Sequence, residues 1–176
     1  MALVVLLRGV NVGGHKVFRP KLFAEQLRQL RAVNIGAAGT FVIWEPISKS
    51  RLRSELTSRL PFKTEIVICQ GREILDLISE DPFIGQPLRP GIVRFVSVLS
   101  IRSCSEPLMP ISFPSENRWL VRILGRKDRF IFGVYRRHMQ TIRYLGMVDR
   151  LFDGPLTTRN WNTIHAIAKV VQRGEI

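Results

Sequence analysis

The sequence predicts an α+β fold in two subdomains, and three observations carry that prediction. Short β-rich runs such as Leu3–Leu7, Thr40–Trp44 and Glu65–Cys69 alternate with stretches whose apolar residues recur every three or four positions, so strands and helices are interleaved. A segment crowded with Pro82, Gly85, Pro87, Pro90 and Gly91 interrupts the chain near its middle and reads as a linker. The charge balance changes across it, with 12 basic and 8 acidic residues in 1–88 against 15 and 6 in 89–176. The 176 residues suffice for one compact domain or two small ones, and 45% hydrophobic with 23% charged content belongs to a globular chain.

The first half resolves element by element. Leu3–Leu7 is apolar at every position, so it reads as a central strand of a covered sheet. Pro20 suits the first turn of a helix, whose apolar stripe is Leu22, Phe23, Leu27 and Leu30. Val33–Gly36 forms a second strand, Gly39-Thr40 a bend, and Thr40–Trp44 a third strand. Ser48 or Ser50 can cap a helix in which Leu52, Leu56 and Leu60 recur at i+4 and which Pro61 ends. Glu65–Cys69 is the fourth strand. The order β-α-β-β-α-β defines a ferredoxin-like unit. A short helix from Gly71 carries Ile74, Leu75 and Ile78 and closes at Asp81-Pro82.

The second half is strand-rich. Ile92–Ile101 is long and apolar, and Pro107, Pro110 and Pro114 disfavour a regular helix in 103–117. Trp119–Leu124 and Arg129–Tyr135 read as a hairpin whose turn lies within Gly125–Asp128. Thr157 or Thr158 caps a final helix with the stripe Trp161, Ile164, Ala168 and Val171, which places Arg159, Asn160 and Asn162 in its first turn. The expected architecture is two ferredoxin-like subdomains, 1–84 and 85–176, the second a degenerate, strand-rich copy carrying the C-terminal helix.

Composition excludes several function classes. No apolar run reaches the roughly 20 residues of a membrane span, and the N-terminal run lacks a basic leader and a small-residue cleavage site. Cys69 and Cys104 lack CxxC spacing and read as buried thiols of a cytoplasmic protein. They and the three scattered histidines leave no ligand set for a metal. Gly9 and Gly14 have P-loop spacing, but His15 stands where the lysine belongs, Lys16 takes the hydroxyl position, and G-x-G-x-x-G is also absent. No nucleophile elbow or carboxylate pair is present, so no cofactor and no catalytic residue is nominated.

What remains is positive charge. The formal net charge is +13 and the sequence pI about 11.1. Between Arg118 and Arg143 stand Arg118, Arg122, Arg126, Lys127, Arg129, Arg136, Arg137 and Arg143, with only Asp128 against them. Such a field attracts polyanions, although Arg-rich usage and solvated strand faces produce the same composition. Three segments are candidate anion sites. The loop after the first strand offers Arg8, Asn11, Gly13, Gly14 and Lys16, its glycines letting backbone N–H groups turn toward a ligand; a tight connection accounts for it equally. The start of the final helix offers Arg159, Asn160 and Asn162 beside free N–H groups, against ordinary capping around a core Trp161. Phe130 and Phe132 share one strand face among arginines, the pattern of a base-stacking platform or of a core strand.

Leu6-Leu7-Arg8-Gly9-Val10-Asn11-Val12-Gly13-Gly14 and Thr158-Arg159-Asn160-Trp161-Asn162-Thr163 resemble the two end signatures of the bacterial family named domain of unknown function sixteen ninety-seven. Pro20-Lys21-Leu22 and Asp81-Pro82-Phe83 follow in that family's order, so the resemblance covers nearly the whole chain. The chain departs where members carry a Thr-Tyr-(Ile/Leu)-Gln-Ser-Gly-Asn segment; here residues 34–40 are Asn-Ile-Gly-Ala-Ala-Gly-Thr. The resemblance implies an α+β fold of ferredoxin-like units and no established activity. The leading expectation is therefore a non-enzymatic, cytoplasmic binder of an anionic partner, nucleic acid first, with no membrane partner. The alternatives are a small enzyme or anionic-ligand binder with a cleft between the Arg8 and Arg159 segments, and a structural or protein-interaction role. The sequence leaves the oligomeric state open.

Overall fold

A computed structural model describes residues 1–12, 17–101 and 103–174. The chain divides into two units, Met1–Glu80 with Asn162–Ile176, and Asp81–Trp161. The sequence had placed the C-terminal helix in the second subdomain. From Asn162 onward it belongs to the first, where Val171 lies so close to Gly71 that no β-carbon fits between them, whereas Trp161 falls in the second and packs edge-on against Phe83 at 5.0 Å.

The first unit is organised around β1 (Leu3–Leu7), all five of whose side chains are buried. Its other elements are α1 (Pro20–Gln26), β2 (Ala32–Ile35), β3 (Thr40–Ile43), α2 (Lys49–Arg59), β4 (Ile66–Gln70), α3 (Gly71–Glu80) and, at the end of the chain, α5 (Trp161–Arg173). The sheet order is β2-β3-β1-β4, every pair antiparallel, with Val5 opposite Phe41 and Ile68. Leu3, Val5, Leu7, Phe41, Ile43, Ile66 and Ile68 form one core with Phe23 and Leu27, and with Leu52 and Leu56 of α2. Phe18 joins it through edge contacts with Phe23 and Phe62, at 5.4 and 5.5 Å. Ser48 caps α2, its Oγ accepting from Arg51 N at 3.2 Å. Leu22 departs from the expected stripe and is exposed, because α1 stops at Gln26 and only Phe23, Leu27 and Leu30 turn inward.

The second unit contains β5 (Ile92–Leu99), β6 (Ile111–Phe113), β7 (Val121–Lys127), β8 (Phe130–Arg136), α4 (Thr141–Leu151) and β9 (Leu156–Asn160). Its sheet order is β6-β7-β8-β5-β9, again antiparallel. One face carries Phe95, Leu99, Val121, Ile123 and Ile131, which pack with Val148 and Phe152 at the α4 side. Helix α4 is not predicted from the sequence, although Ile142, Leu145, Val148 and Phe152 have helical spacing; Gly146 in its interior weakens the local helix propensity. The hairpin turn also lies elsewhere than expected: Lys127 pairs with Phe130, so Asp128-Arg129 make the turn, with Asp128 left-handed at φ +51°. Gly125 instead sits at a register shift in β7, where the Phe132 ring occupies the space of a β-carbon. Leu156–Asn160 is a strand rather than the cap and first turn of a helix, because Thr157-Thr158 are β-branched and the segment pairs with β5 from Leu99↔Leu156 to Phe95↔Asn160.

The two sheets share a relative placement of strands. In each, the first strand (β1, β5) lies between the last (β4, β9) and the next-to-last (β3, β8). In the second unit, a proline-bearing segment with β6 stands where the first has α1. No helix among the described residues is long and apolar enough to cross a membrane. Cys69 is buried as expected, but Cys104 is exposed.

Two glycines test this packing. A β-carbon on Gly133 would overlap the Arg122 carbonyl and press on the Phe95 ring, whereas one on Gly146 of α4 meets nothing within 4 Å. Gly133→Ala is expected to destabilise the protein by about 1–3 kcal/mol, and Gly146→Ala to stabilise it by about 0.4–1 kcal/mol. Denaturant midpoints at constant m-value check both.

Candidate anion-binding site

The basic run between Arg118 and Arg143 does not form one patch. It folds into the β7–β8 hairpin, and the seven residues of β7 separate the turn from the open end by about 20 Å. At the turn, the arginines are committed to the fold. Arg126 donates to the carbonyls of Ser105 (2.7 Å), Ser103 (2.9 Å) and Asp128 (2.7 Å). Arg129 donates twice to the Leu99 carbonyl, at 3.0 and 2.7 Å. Arg126 and Arg129 are thus staples of the hairpin turn rather than surface charges. Lys127 beside them is half-buried.

The open end differs. Arg122 and Arg136 face the same side of the sheet, being aligned with Val134 and Ile92 across the strands. Their guanidinium carbons lie 4.7 and 4.4 Å from the Trp119 ring centre. The indole attracts both cations through its electron-rich face and holds their planes in place. Arg122 is fixed further by Ser112 (Nε to Oγ, 3.0 Å) and by an ion pair with Glu116, whose Oε2 also accepts from Ser112 Oγ at 2.6 Å. Arg136 is exposed, as are its chain neighbour Arg137, Arg118 next to Trp119, and Arg143 on α4. Apart from the Arg136–Trp119 contact, none of these four side chains makes a hydrogen bond or ion pair among the described residues. These arginines are legible in the sequence, whereas the part of Trp119 as their organiser emerges from the fold. Its signal was present, since Trp119 heads a strand whose partner ends in Arg136-Arg137.

The other candidates separate. Asn11, left-handed at φ +56°, is spent on the backbone. Its Nδ2 donates to the carbonyls of Phe18 (3.0 Å) and Ala37 (2.8 Å), and its Oδ1 accepts from Phe18 N (2.9 Å). Both amide hydrogens are used, so Asn11 has no donor left for an anion. Arg8 is half-buried, with its carbonyl accepting from Thr64 Oγ1 at 2.6 Å and its N–H donating to Glu65 O at 3.0 Å. Gly13, Gly14 and Lys16 lie outside the described residues. Arg8 falls in the first unit, and Arg159 and Asn160 in the second. Asn160 and Asn162 are exposed, but only Asn162 stands in a helix's first turn.

Arg159 is an inward-facing strand residue, 6% exposed, donating to the Thr158 carbonyl at 2.8 Å. Burial pulls its guanidinium down from the ordinary value to about 10. Phe130 and Phe132 occupy the same face. Phe130 is buried, and Phe132 is half-buried with its ring 6.1 Å from Phe83, so they belong to the interior and not to a stacking platform. Among the described residues no group of His, Cys, Asp and Glu is arranged to hold a metal.

No protein-family model matches the chain, and no curated protein matches it. Among solved structures it is similar to conserved bacterial protein SP0830 from Streptococcus pneumoniae, with a TM-score of 0.60 at 13% identity over 97% of this chain and 98% of that one. This likeness shows a shared mixed α+β fold, and the neighbour's name carries no activity.

Two outcomes follow from these side chains. Asn11→Ala removes three hydrogen bonds and should cost about 1–3 kcal/mol of stability, read by thermal or denaturant unfolding. For Arg159, the folded state binds its proton less tightly than the unfolded state, so its buried charge is a cost below pH 10 that fades as pH rises further. The stability of the native protein relative to Arg159→Met should therefore increase as pH rises from about 10 toward 12, by at most about 1.4 kcal/mol per pH unit. Paired denaturation curves across that range check the sign.

Proposed function

We propose that this protein is a non-enzymatic binder of an anionic polymer, nucleic acid first, and that the open end of the β7–β8 hairpin is its contact surface. One observation carries the reading: the exposed Arg136 is held on Trp119, whose other cation, Arg122, is occupied by Ser112 and Glu116, and Arg118 and Arg137, the chain neighbours of Trp119 and Arg136, are exposed. Guanidinium groups fixed in place lose less freedom on meeting phosphate than free side chains do, and their forked N–H edges match phosphate oxygens. The net charge of +13 supplies long-range attraction.

Membership of the family named domain of unknown function sixteen ninety-seven is part of this proposal, supported by the two end segments and their spacing. So is a ferredoxin-like plait for both units. The βαββαβ order and the sheet order β2-β3-β1-β4 support it in the first, and the matching placement of β7, β8, β5 and β9 supports it in the second. A cytoplasmic location fits two cysteines that remain unpaired.

The test is retention on heparin, followed by anisotropy titrations of labelled single-stranded and duplex nucleic acid at about 50 and 200 mM salt. Binding should weaken steeply with salt. Arg136→Ala and Arg137→Ala should each lower the salt slope by about 1 and weaken binding to all sequences alike. Failure to bind heparin or nucleic acid at low salt overturns the reading.

A further inference from the structure

A second basic feature lies within the first unit. A shallow hollow of about 350 Å³ opens beside the edge strand β2, lined by Arg31, Val33, Trp44, Val170, Arg173 and Gly174. Among the described residues two of the lining side chains are cationic and none is acidic. Neither guanidinium makes a hydrogen bond or ion pair among the described residues. Two like charges around one hollow repel each other, and an anion seated between them relieves the repulsion.

The backbone agrees. Arg31 follows a short 3-10 turn in the left-handed region, φ +50°, where glycine or asparagine is the usual residue. An arginine there accepts strain for which its position in the fold gives no packing return, since it is exposed. Trp44 is placed just as firmly: its six-membered ring packs on the Gly174 backbone, in the space a β-carbon would take. The ring is thereby held at the hollow beside Val33 and Val170.

We propose that this hollow binds a nucleoside monophosphate, the base against Trp44 and Val33 and the phosphomonoester between Arg31 and Arg173. The double positive charge favours a phosphomonoester, which carries about −1.5 to −2 at pH 7, over a carboxylate. A planar base matches an indole whose neighbours are apolar. The terminal carbonyls of α5 oppose an anion with about half a negative charge, which two full positive charges outweigh.

The test is titration of the full chain with adenosine 5′-monophosphate, followed by calorimetry and tryptophan fluorescence, with adenosine and inorganic phosphate as separate arms. The expected result is saturable binding with quenching that Trp44→Phe removes. Arg31→Ala and Arg173→Ala should each weaken it about tenfold or more. Adenosine and phosphate should each bind at least about tenfold more weakly than the nucleotide. Arg136→Ala and Arg137→Ala should leave this affinity unchanged, whether or not the chain binds heparin, so this site and the hairpin surface fail or succeed separately. Absence of saturable binding at millimolar nucleotide, equal binding of adenosine, or indifference to both Arg31→Ala and Arg173→Ala overturns the proposal.

Discussion

Strand β1 sets the constraint on which the first unit depends. Its five side chains alternate between the two faces of the sheet, and all five are buried. Such a strand can stand only in the interior of a sheet covered on both sides, so β1 acquires a neighbour at each edge, β3 and β4. A slip of one residue would move Val5 from the Phe41 and Ile68 row to the opposite face. The register then fixes where the chain leaves the sheet, at Arg8, and the Asn11 side chain fastens the exit by holding Phe18 and Ala37. Phe18 in turn carries the contacts to Phe23 and Phe62. A segment that looks like a ligand loop in sequence is, at Asn11, a clasp of the fold.

Charge in the second unit is governed by the hairpin. A linear run of basic residues becomes two groups once β7 and β8 pair. At the turn, Arg126 donates to backbone carbonyls of the irregular chain at Ser103 and Ser105, and Arg129 to the carbonyl of Leu99 at the end of β5. At the open end, Trp119 gathers Arg122 and Arg136 and leaves the neighbouring arginines in solvent. Equal residues in sequence therefore have unequal availability to a partner, and the difference lies in what accepts their N–H groups. Arg159 is the extreme case, a cation carried into the interior by a strand whose register leaves it no outward direction.

Much of this architecture was legible from the chain. The apolar run Leu3–Leu7, Leu52 and Leu56 of α2, and the Trp161–Val171 stripe bury what local periodicity says they should, and Ser48 caps α2. Errors arose where a local signal had two solutions. Thr157-Thr158 serves as a helix cap or as a β-branched strand, and only pairing with β5 selects the strand. Gly125 marks a turn or a register shift, and only the Phe132 ring selects the shift. Helix α4 has a helical stripe at Ile142, Leu145, Val148 and Phe152, but Gly146 in its interior weakens the local signal.

The sequence by itself determined the mixed α+β class, the order of elements in the first unit, the excess of positive charge and the absence of any recognisable catalytic or metal-ligand motif. These depend on composition and on periodicities of two and of about 3.6 residues, which neighbours in the chain express without help. The tertiary structure decided which arginines remain available, that Trp119 organises two of them, that Asn11 is a clasp, and that Arg31, Trp44 and Arg173 surround one hollow. Each of those facts joins residues from different elements, and a side chain's hydrogen-bond partners and burial come into existence only when strand pairing brings those elements together.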